Sequence, residues 1–255
     1  MKTILFCCSF IAASFVLAQP SGIRPSPWSA GVFVMTDSQP YKDASGIVRV
    51  LPSVVYRGER LKVQGPLVQY LLYKNDWLEL NGNAAFQFAP YEEDDSFVLI
   101  GLEEPDPTLL AGLDARIKLT DLFGPKWSVV ITAEGDVLGE HSGTQLTAGI
   151  SYALGHPRAP ISGGIGAGVL FQDSNWVDYF VGVLVDKATE TRPAYEGASA
   201  VNPYISLRGM WRFNRHWSVL GIARLDFIDE EWTDSPIIAD DTRTQIFAAL
   251  NYTFW

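Results

Sequence analysis

Hydrophobic and polar residues alternate in steps of two along most of this chain. In residues 201–213 the two sets are Ile205, Leu207, Gly209, Trp211 and Phe213 against Tyr204, Ser206, Arg208, Met210 and Arg212. The same period recurs in 77–88, 109–119, 144–154 and 217–227. Successive side chains of a strand point to opposite faces, so this period is typical of strands with one apolar and one polar face. The pattern predicts an all-β chain.

The predicted strands are long for a water-soluble β protein. We expect twelve, near residues 28–36, 50–57, 60–73, 76–88, 108–119, 126–137, 142–154, 160–171, 176–184, 201–213, 216–228 and 243–254. Strands of about 10 to 13 residues are twice the usual length but match a tilted bilayer crossing. The sequence therefore predicts a transmembrane antiparallel up-and-down β-barrel of about 12 strands.

Aromatic residues lie at the ends of these segments: Trp28, Trp77, Trp127, Trp176, Trp217, Tyr252 and Phe254. A membrane barrel needs aromatic girdles at both interfaces, where an amphipathic ring sits at the headgroup level. A soluble sandwich would instead bury its tryptophans in mid-strand. The placement favours the membrane barrel.

The lengths of the predicted connections test the topology. Outer-membrane barrels have short periplasmic turns and longer external loops. The gaps after strands 2, 6, 8 and 10 are short, and the gaps 37–49, 185–200 and 229–242 are long. The chain termini therefore belong on the periplasmic side.

Residues 89–107 depart from this rule, because they follow predicted strand 4 and are long. They carry seven carboxylates around an apolar centre. Either the strands are miscounted, or this segment is a periplasmic or lumen-folded element. On the second interpretation it is the candidate partner-contact loop, with Glu92, Glu93, Asp94, Asp95, Phe97, Leu99, Glu103 and Glu104 as contact residues.

The N-terminus has the features of a secretory signal peptide. Lys2 precedes the apolar run of residues 4–18, which is too short to cross a bilayer comfortably, and Val16 and Ala18 fit a cleavage site. The alternative is a buried N-terminal helix. We expect a signal peptide at 1–18, with cleavage near Ala18, and a barrel domain at 19–255. Both cysteines, Cys7 and Cys8, fall in the removed segment, which excludes disulfides, thiol chemistry and a lipid-anchored cysteine.

Charge and hydropathy narrow the environment further. The formal net charge of −10 argues against a nucleic-acid partner, since phosphate contacts need clustered Lys and Arg. After the signal peptide no uninterrupted apolar stretch approaches 18 residues, so helical membrane spans are not expected. We therefore expect outer-membrane lipid as the environment, in a Gram-negative bacterium.

The chain ends on an aromatic strand, "QIFAALNYTFW". The last strand must pair with the first, because an open sheet edge cannot lie in lipid. Tyr252, Phe254 and Trp255 also resemble the C-terminal insertion signal of outer-membrane barrels, with the final residue one position beyond the usual spacing.

Several segments resemble the MltA-interacting protein family, also called MipA/OmpV. They include "LPSVVYRGERLKVQGPLVQY", "NAAFQFAPYEEDDSFVLIGLEE", "DVLGEHSGTQLTAGISYAL", "YFVGVLVDKATETRPAYEGASAVNPYISL" and "SPIIADDTRTQIFAALNYTF". The most specific positions are Pro52, Tyr56 and Gly58; Asp136, Gly139, His141 and Gly143; and Ser235 and Pro236. This chain departs from the family pattern at "NAAFQFAP", where the family usually has arginine-rich stretches.

The resemblance implies a non-enzymatic outer-membrane scaffold. Its partners would be a murein-degrading lytic transglycosylase and a bifunctional murein synthase, which the scaffold would link at the cell envelope. Other members resemble adhesins or porin-like proteins. A small-solute channel or an adhesin-type outer-membrane protein is therefore the alternative.

Catalytic, metal and cofactor sites are not expected. His141 and Ser142 suggest a hydrolase, but neighbouring strand residues diverge, so a turn hinged at Gly139 and Gly143 is favoured. His141, His156 and His216 lie in predicted turns and lack the spacing of metal ligands. The glycine-rich stretch 162–168 is followed by no predicted helix, which argues against a phosphate-binding loop.

The predicted lumen carries charges of both signs in similar number. Its candidate residues are Glu79, Asp114, Arg116, Lys118, Glu134, Asp136, Gly164, Gly166, Gly168, Arg208, Arg212, Arg224 and Asp226. Mixed charges indicate either structural ion pairs or a path for solutes. For the three glycines there are two interpretations: they make room for residues 89–107 or a neighbouring side chain, or they permit strand curvature.

Overall fold

The structure is a computed structural model that describes residues 26–89, 91–156 and 159–254. The proposed signal peptide at 1–18 and Trp255 lie outside these residues. Twelve strands make up the barrel: β1 Trp28–Asp37, β2 Ile47–Arg57, β3 Leu61–Gln64, β4 Leu67–Lys74, β5 Leu78–Gln87, β6 Thr108–Lys118, β7 Trp127–Asp136, β8 Thr144–Leu154, β9 Ile161–Gln172, β10 Ala200–Arg212, β11 Trp217–Phe227 and β12 Thr242–Thr253.

The sheet closes on itself. Each strand pairs antiparallel with the next, and β12 pairs with β1 from Ser29↔Thr253 to Asp37↔Gln245. Closure removes the open edges that lipid would not tolerate. The predicted all-β barrel of 12 strands is confirmed.

Two of the twelve predicted strands were wrong, and the errors cancel in the count. Residues 60–73 form two short strands, because Gly65 adopts a positive φ of 56° and turns the chain together with Pro66. Residues 176–184, predicted as a strand, overlap the helix α2, Ser174–Val181. Asp173 caps this helix by accepting a hydrogen bond from the Trp176 amide over 2.9 Å.

These two corrections change the end of the barrel to which residues 89–107 are assigned. The barrel has a terminal end, with both described chain ends and the short connections after β2, β4, β6, β8 and β10. It has an opposite cap end, with the connection 137–143 and four connections that are longer than any at the terminal end, 38–46, 88–107, 173–199 and 228–241. The acidic segment lies at the cap end, so the explanation by a strand miscount was right and the placement beside the termini was wrong. The missed hairpin β3–β4 had shifted the parity of the count by one strand.

Side chains divide between the two faces of the barrel wall. On β10, Ile205 and Leu207 face outward and are 50% and 54% exposed. Tyr204 on the same strand faces the lumen and is 8% exposed. Buried polar side chains such as Asn81, Asn83 and Gln145 line the inside. The apolar outer surface fits lipid, and the polar interior needs internal hydrogen bonds.

Aromatic rings form a girdle around the terminal end. Trp28 packs on Tyr56, Trp127 on Tyr152 and Trp217 on Tyr252, with ring centroids 4.6–5.1 Å apart. Phe254 follows at the edge of Tyr252. Trp176, which was expected among the interfacial residues, is instead buried at the cap end, at 3% exposure.

The wall has one seam that differs from the rest. β2 is paired with β3 only through Val55, Tyr56 and Arg57, because the β3–β4 hairpin is short. Beyond it, Phe88 packs against Ile47, Leu51 and Phe86 and covers this edge with side chains. Pro52 lies in this stretch of β2, as expected for a residue that donates no ladder hydrogen bond.

Helical turns lie only in the connections of the described chain. They are α1 Thr120–Phe123, α2, α3 Glu230–Thr233 and the 3-10 turns Glu93–Asp95, Phe97–Leu99 and Val185–Lys187. Across the described residues, no helix has the length and apolar character to cross a membrane.

Candidate functional site

Four connections at the cap end pack together over a hydrophobic core of their own, which we call the cap. The connections are 38–46, 88–107, 173–199 and 228–241. The buried members of this core are Tyr41, Tyr91, Leu99, Leu102, Leu110, Trp176, Val177, Phe180, Val181, Val183, Ala200, Trp232, Ile237 and Ile238. Loops with a shared core behave as a folded lid rather than as independent mobile segments.

Helix α2 lies at the centre of the cap. Trp176, Val177, Phe180 and Val181 are spaced to form one helix face and are all buried. The Tyr41 hydroxyl donates to the Phe180 carbonyl over 3.3 Å, and the Ser235 hydroxyl donates to the Val181 carbonyl over 2.6 Å. The helix thus receives one hydrogen bond from the first connection and one from the last.

Arg192 ties two connections together. Its guanidinium donates to the carbonyls of Val98 and Ile100 in segment 88–107, and to the Lys187 carbonyl in its own segment over 2.9 Å. The side chain is buried. Because the guanidinium is planar and carries several donors, one residue can serve three carbonyls at once.

His141, in the connection 137–143, packs against α2. Its ring lies 4.7 Å from Trp176, 5.3 Å from Tyr179 and 5.7 Å from Phe180, measured between centroids. Nδ1 accepts from the Gly143 amide over 2.9 Å, so the proton of the neutral ring is on Nε2, which faces Gln87 Oε1 at 3.3 Å. Burial lowers the pKa of His141, and the nearby carboxylates of Asp136 and Asp173 offset part of that effect.

The arrangement around His141 is that of a structural turn. Asp136 accepts hydrogen bonds from the amides of Leu138, Gly139, His141 and Ser142, which fixes the connection. Gly139 has a positive φ of 87°. The geometry gives no path from His141 Nδ1 to the Ser142 hydroxyl, because that nitrogen is engaged by Gly143.

Beneath the cap lies a chamber inside the barrel. Its roof is aromatic, with Tyr41, Trp176, Phe180 and Trp232. Its wall comes from inward-facing residues near the cap ends of the strands, among them Gln87, Gln145, Gln172, Asn202 and Gln245. The chamber therefore combines flat apolar surfaces with amide groups that both donate and accept hydrogen bonds.

Two ion pairs complete the chamber wall. Arg224 Nε donates to Asp226 Oδ1 over 2.8 Å, two residues along β11, and the guanidinium also stacks on the Tyr204 ring at 4.0 Å. Arg243 on β12 donates from Nε to Asp37 Oδ1 on β1, also over 2.8 Å. The two positive charges and two negative charges of the wall therefore balance.

The other predicted lumen charges are held mostly by polar neighbours. Asp114 accepts from Asn81 and Thr132, and Glu134 accepts from Asn83 and Gln145. Glu79 pairs with two lysines that were not predicted, Lys62 at 3.1 Å and Lys74 at 2.6 Å. Hydrogen bonds to these buried carboxylates hold them in place inside the barrel.

The remaining predicted charges are spread along the wall. The carboxylates of Asp114 and Glu79 attract the Arg116 guanidinium. The Arg208 guanidinium is near enough to Arg116 for the two positive charges to repel each other. Arg212 donates to the Ala159 carbonyl and Lys118 to the Asp76 carbonyl, both towards the terminal end. These residues surround the lumen but do not converge on one site.

The inward glycines of β9 face side chains of β10. A Cβ on Gly166 would lie 2.8 Å from Ser206 Oγ. One on Gly164 would lie 3.0 Å from the Tyr152 carbonyl oxygen and 3.1 Å from Arg208 Nε, and one on Gly168 would lie 2.3 Å from the Ala148 carbonyl oxygen and 2.8 Å from the Tyr204 hydroxyl. The space beside these glycines is therefore taken by side chains of β10 and, at Gly164 and Gly168, by the backbone of β8. Tyr91, Leu99 and Leu102 of the acidic segment do not fill it, since they pack in the cap.

The acidic segment divides into a buried part and an exposed part. Leu99 is completely buried in the cap core, whereas Phe97 is 77% exposed. Asp95 accepts from the Glu92 amide over 2.8 Å, and Ser96 donates to the Lys42 carbonyl. Asp94, Glu103 and Glu104 are exposed, and Glu93 begins the turn Glu93–Asp95. Burial together with the nearby carboxylates of Asp95, Asp94 and Glu104 raises the pKa of Glu92.

Sequence reasoning missed most of the residues that build this site. Asp37 and Arg243 stood at the edges of predicted strands, Phe180 lay within the segment 176–184 that was predicted as a strand, and Trp232 lay in a predicted loop. An apolar run flanked by a capping Asp173 was the available signal for α2. Among the described residues, no group of three or more His, Cys, Asp or Glu side chains could hold a metal ion.

Sequence comparisons match this chain to a family and to named relatives over most of its length. The family model described as MltA-interacting protein MipA matches residues 29–254. The Escherichia coli K12 proteins named putative outer membrane protein YiaT and MltA-interacting protein are each 24% identical, over 96% of this chain and 97% and 98% of their own. Outer membrane protein OmpV of Vibrio cholerae is 22% identical over 99% of both chains.

Among solved structures, an outer membrane channel from Pseudomonas putida F1 covers 93% of this chain and all of its own, with 13% identity and a TM-score of 0.43. The KdgM porin covers 89% of this chain and 99% of its own, with 11% identity and a TM-score of 0.42.

The residues that carry the family resemblance serve the structure described above. Asp136 holds the turn that positions His141, Ser235 binds the end of α2, and Tyr56 belongs to the aromatic girdle. With a family match over most of the chain, a closed apolar-faced barrel and relatives named as outer membrane proteins, this chain belongs to the MltA-interacting protein MipA family of Gram-negative outer-membrane barrels.

Proposed function

We propose that this protein is an interaction protein of the cell envelope that links a murein-degrading lytic transglycosylase to a bifunctional murein synthase. The observation that carries the proposal is the cap, which closes one end of the barrel with its own hydrophobic core. A barrel closed in this way is suited to be a rigid membrane anchor more than an open pore. The relative named MltA-interacting protein supports the choice of partners.

The partner surface belongs at the terminal end. In outer-membrane barrels the short turns face the periplasm, where murein lies, and the longer loops face outward. By this rule the acidic segment 89–107 is on the wrong side for a murein enzyme. The connection 119–126 is longer than the other terminal-end connections and presents Leu122 and Phe123, which are 76% and 64% exposed. We place the partner contact there.

The test is binding of the detergent-solubilised full chain to a purified MltA-type lytic transglycosylase and to a bifunctional murein synthase. Leu122→Asn should weaken binding at least tenfold. Val185→Asn is the matched control, because Val185 is an aliphatic residue at the cap end with a similar exposure of 84%. If neither enzyme binds, the proposed function is wrong. If Val185→Asn weakens binding and Leu122→Asn does not, the partner surface is wrong.

A small-solute channel is the competing function, and conductance separates the two. In a planar bilayer the wild-type barrel should show no discrete conductance steps while the cap is closed. Regular steps that scale with salt concentration would favour the channel.

A further inference from the structure

The chamber under the cap has a wall whose charges are already neutralised. Arg224 is paired with Asp226, and Arg243 is paired with Asp37. A charged ligand would have to separate one of these pairs, and a buried charge left without its partner is costly. The wall is therefore matched to an uncharged occupant.

The rest of the wall is rich in carboxamides. Gln87, Gln172 and Asn202 line the chamber, and the Asn202 amide donates to Gln172 Oε1 over 2.9 Å. A carboxamide has both a donor and an acceptor, so it can donate a hydrogen bond to a hydroxyl group or accept one from it. Several carboxamides around one space match a ligand with several hydroxyl groups.

Trp232 supplies an independent observation. Its side chain is 7% exposed and lines the chamber, and its indole N–H has no hydrogen-bond partner in the described part of the chain. A buried donor without an acceptor is costly, which indicates that an acceptor is supplied from the chamber. The Trp232 and Phe180 rings are nearly parallel, with an interplanar angle of 15°. Flat ring faces beside hydrogen-bonding groups suit the C–H face of a sugar ring.

We propose that this chamber binds an uncharged, polyhydroxylated small molecule, with Trp232 donating to one of its oxygens. The site is separate from the terminal-end surface assigned to the murein enzymes, so either proposal can fail alone.

The test is a calorimetric titration of the detergent-solubilised full chain with four probes: glucose, N-acetylglucosamine, glucuronate and glucosamine. The two neutral sugars should bind saturably, and the acid and the amine should bind at least tenfold more weakly. Preferred binding of glucuronate or glucosamine would overturn the proposal, as would the absence of saturable binding by either neutral sugar.

Variants locate the binding site. Trp232→Phe keeps the ring and removes the N–H donor, and it should weaken binding of the neutral sugar by roughly tenfold or more. Trp217→Phe is the control, because Trp217 lies in the aromatic girdle at the opposite end. Equal affinity in the two variants would overturn the proposal. If Trp232→Phe fails to fold, Gln172→Leu, which removes a carboxamide from the same wall, should weaken binding in the same way, and unchanged affinity in that variant would also overturn it.

Discussion

Arg243 on the last strand donates from Nε to Oδ1 of Asp37 on the first strand over 2.8 Å, and Nη2 contacts Oδ2. This two-point contact lies at the cap end of the β1–β12 seam, where the barrel closes. Gln245 donates to the same carboxylate over 3.2 Å. The pair therefore joins the two ends of the sheet and forms part of the chamber wall.

Neutralising Arg243 and neutralising Asp37 should lower the stability of the barrel by different amounts. The Asp37 side chain is 4% exposed and that of Arg243 is 27% exposed. Arg243→Gln leaves a buried carboxylate without its cation and should destabilise the barrel by about 3–5 kcal/mol. Asp37→Asn leaves a cation that can still reach water and should cost less. Thermal unfolding in detergent, followed by the gel mobility of the folded band, measures both.

A double variant is the control for this asymmetry. Asp37→Asn combined with Arg243→Gln should be more stable than Arg243→Gln alone, because no buried charge is left. If the two single variants lose equal stability and their effects add, the interaction between Asp37 and Arg243 does not stabilise the barrel.

Arg192 should control the integrity of the cap. Arg192→Ala removes the hydrogen bonds to the carbonyls of Val98, Ile100 and Lys187. Opening of the cap should become easier by about 3 kcal/mol, since charge-assisted hydrogen bonds contribute about 1.5–3 kcal/mol each. Limited proteolysis should then cleave segments 88–107 and 173–199 at least tenfold faster.

Arg192→Lys and Arg215→Ala sharpen this test. Lysine keeps the charge but lacks the planar fork, so Arg192→Lys should still speed cleavage. Arg215 is exposed at the terminal end, and Arg215→Ala should leave cleavage unchanged. A cap that resists protease equally in all three variants would contradict the assigned role of Arg192.

The barrel was predictable because its signal is local and repeated. Each long strand shows the two-residue period, since one face meets lipid and the other the polar lumen, as with Leu207 and Arg208. The hairpin β3–β4 escaped because its apolar alternation continues on both sides of Gly65 and Pro66. The helix α2 escaped because a short apolar run such as 176–184 is compatible with strand or helix.

The cap and chamber were beyond sequence reasoning for a different reason. Their contacts join residues far apart in the chain, such as Tyr41 with Phe180 and Arg192 with Val98. Loop sequences have no periodic pattern from which these long-range contacts could be predicted. Only the motif around Asp136 indicated a fixed connection in advance, and it proved to hold His141 against α2.

His141 should make the cap sensitive to acid. Burial lowers the pKa of its ring in the folded cap below the usual value of about 6.5. Above that value both the folded and the opened cap hold a neutral ring. As the pH falls below it, the opened state binds a proton more readily, so stability is lost by up to about 1.4 kcal/mol per pH unit until the folded pKa is passed.

The variant His141→Asn isolates this effect. Asparagine can still accept from the Gly143 amide but does not titrate. Between pH 7 and pH 5, cleavage of the cap loops should accelerate in the wild type more than in the variant. Glu92, whose pKa is raised, titrates in both proteins and cancels in the difference. Identical pH profiles would show that His141 does not govern the cap.

Gly31 should be indispensable for closing the barrel. A Cβ at this position would lie 1.8 Å from the Leu250 carbonyl oxygen, so β1 and β12 could not keep their spacing. Gly31→Ala should destabilise the barrel by about 1–3 kcal/mol or prevent refolding. Gly209→Ala is the matched control, because a Cβ there meets no atom within 4 Å on the outer face of β10. Refolding yield in detergent and urea unfolding measure the difference. If Gly31→Ala folds as well as Gly209→Ala, the close approach of the first and last strands is wrong, and with it the register of the seam that holds Asp37 against Arg243.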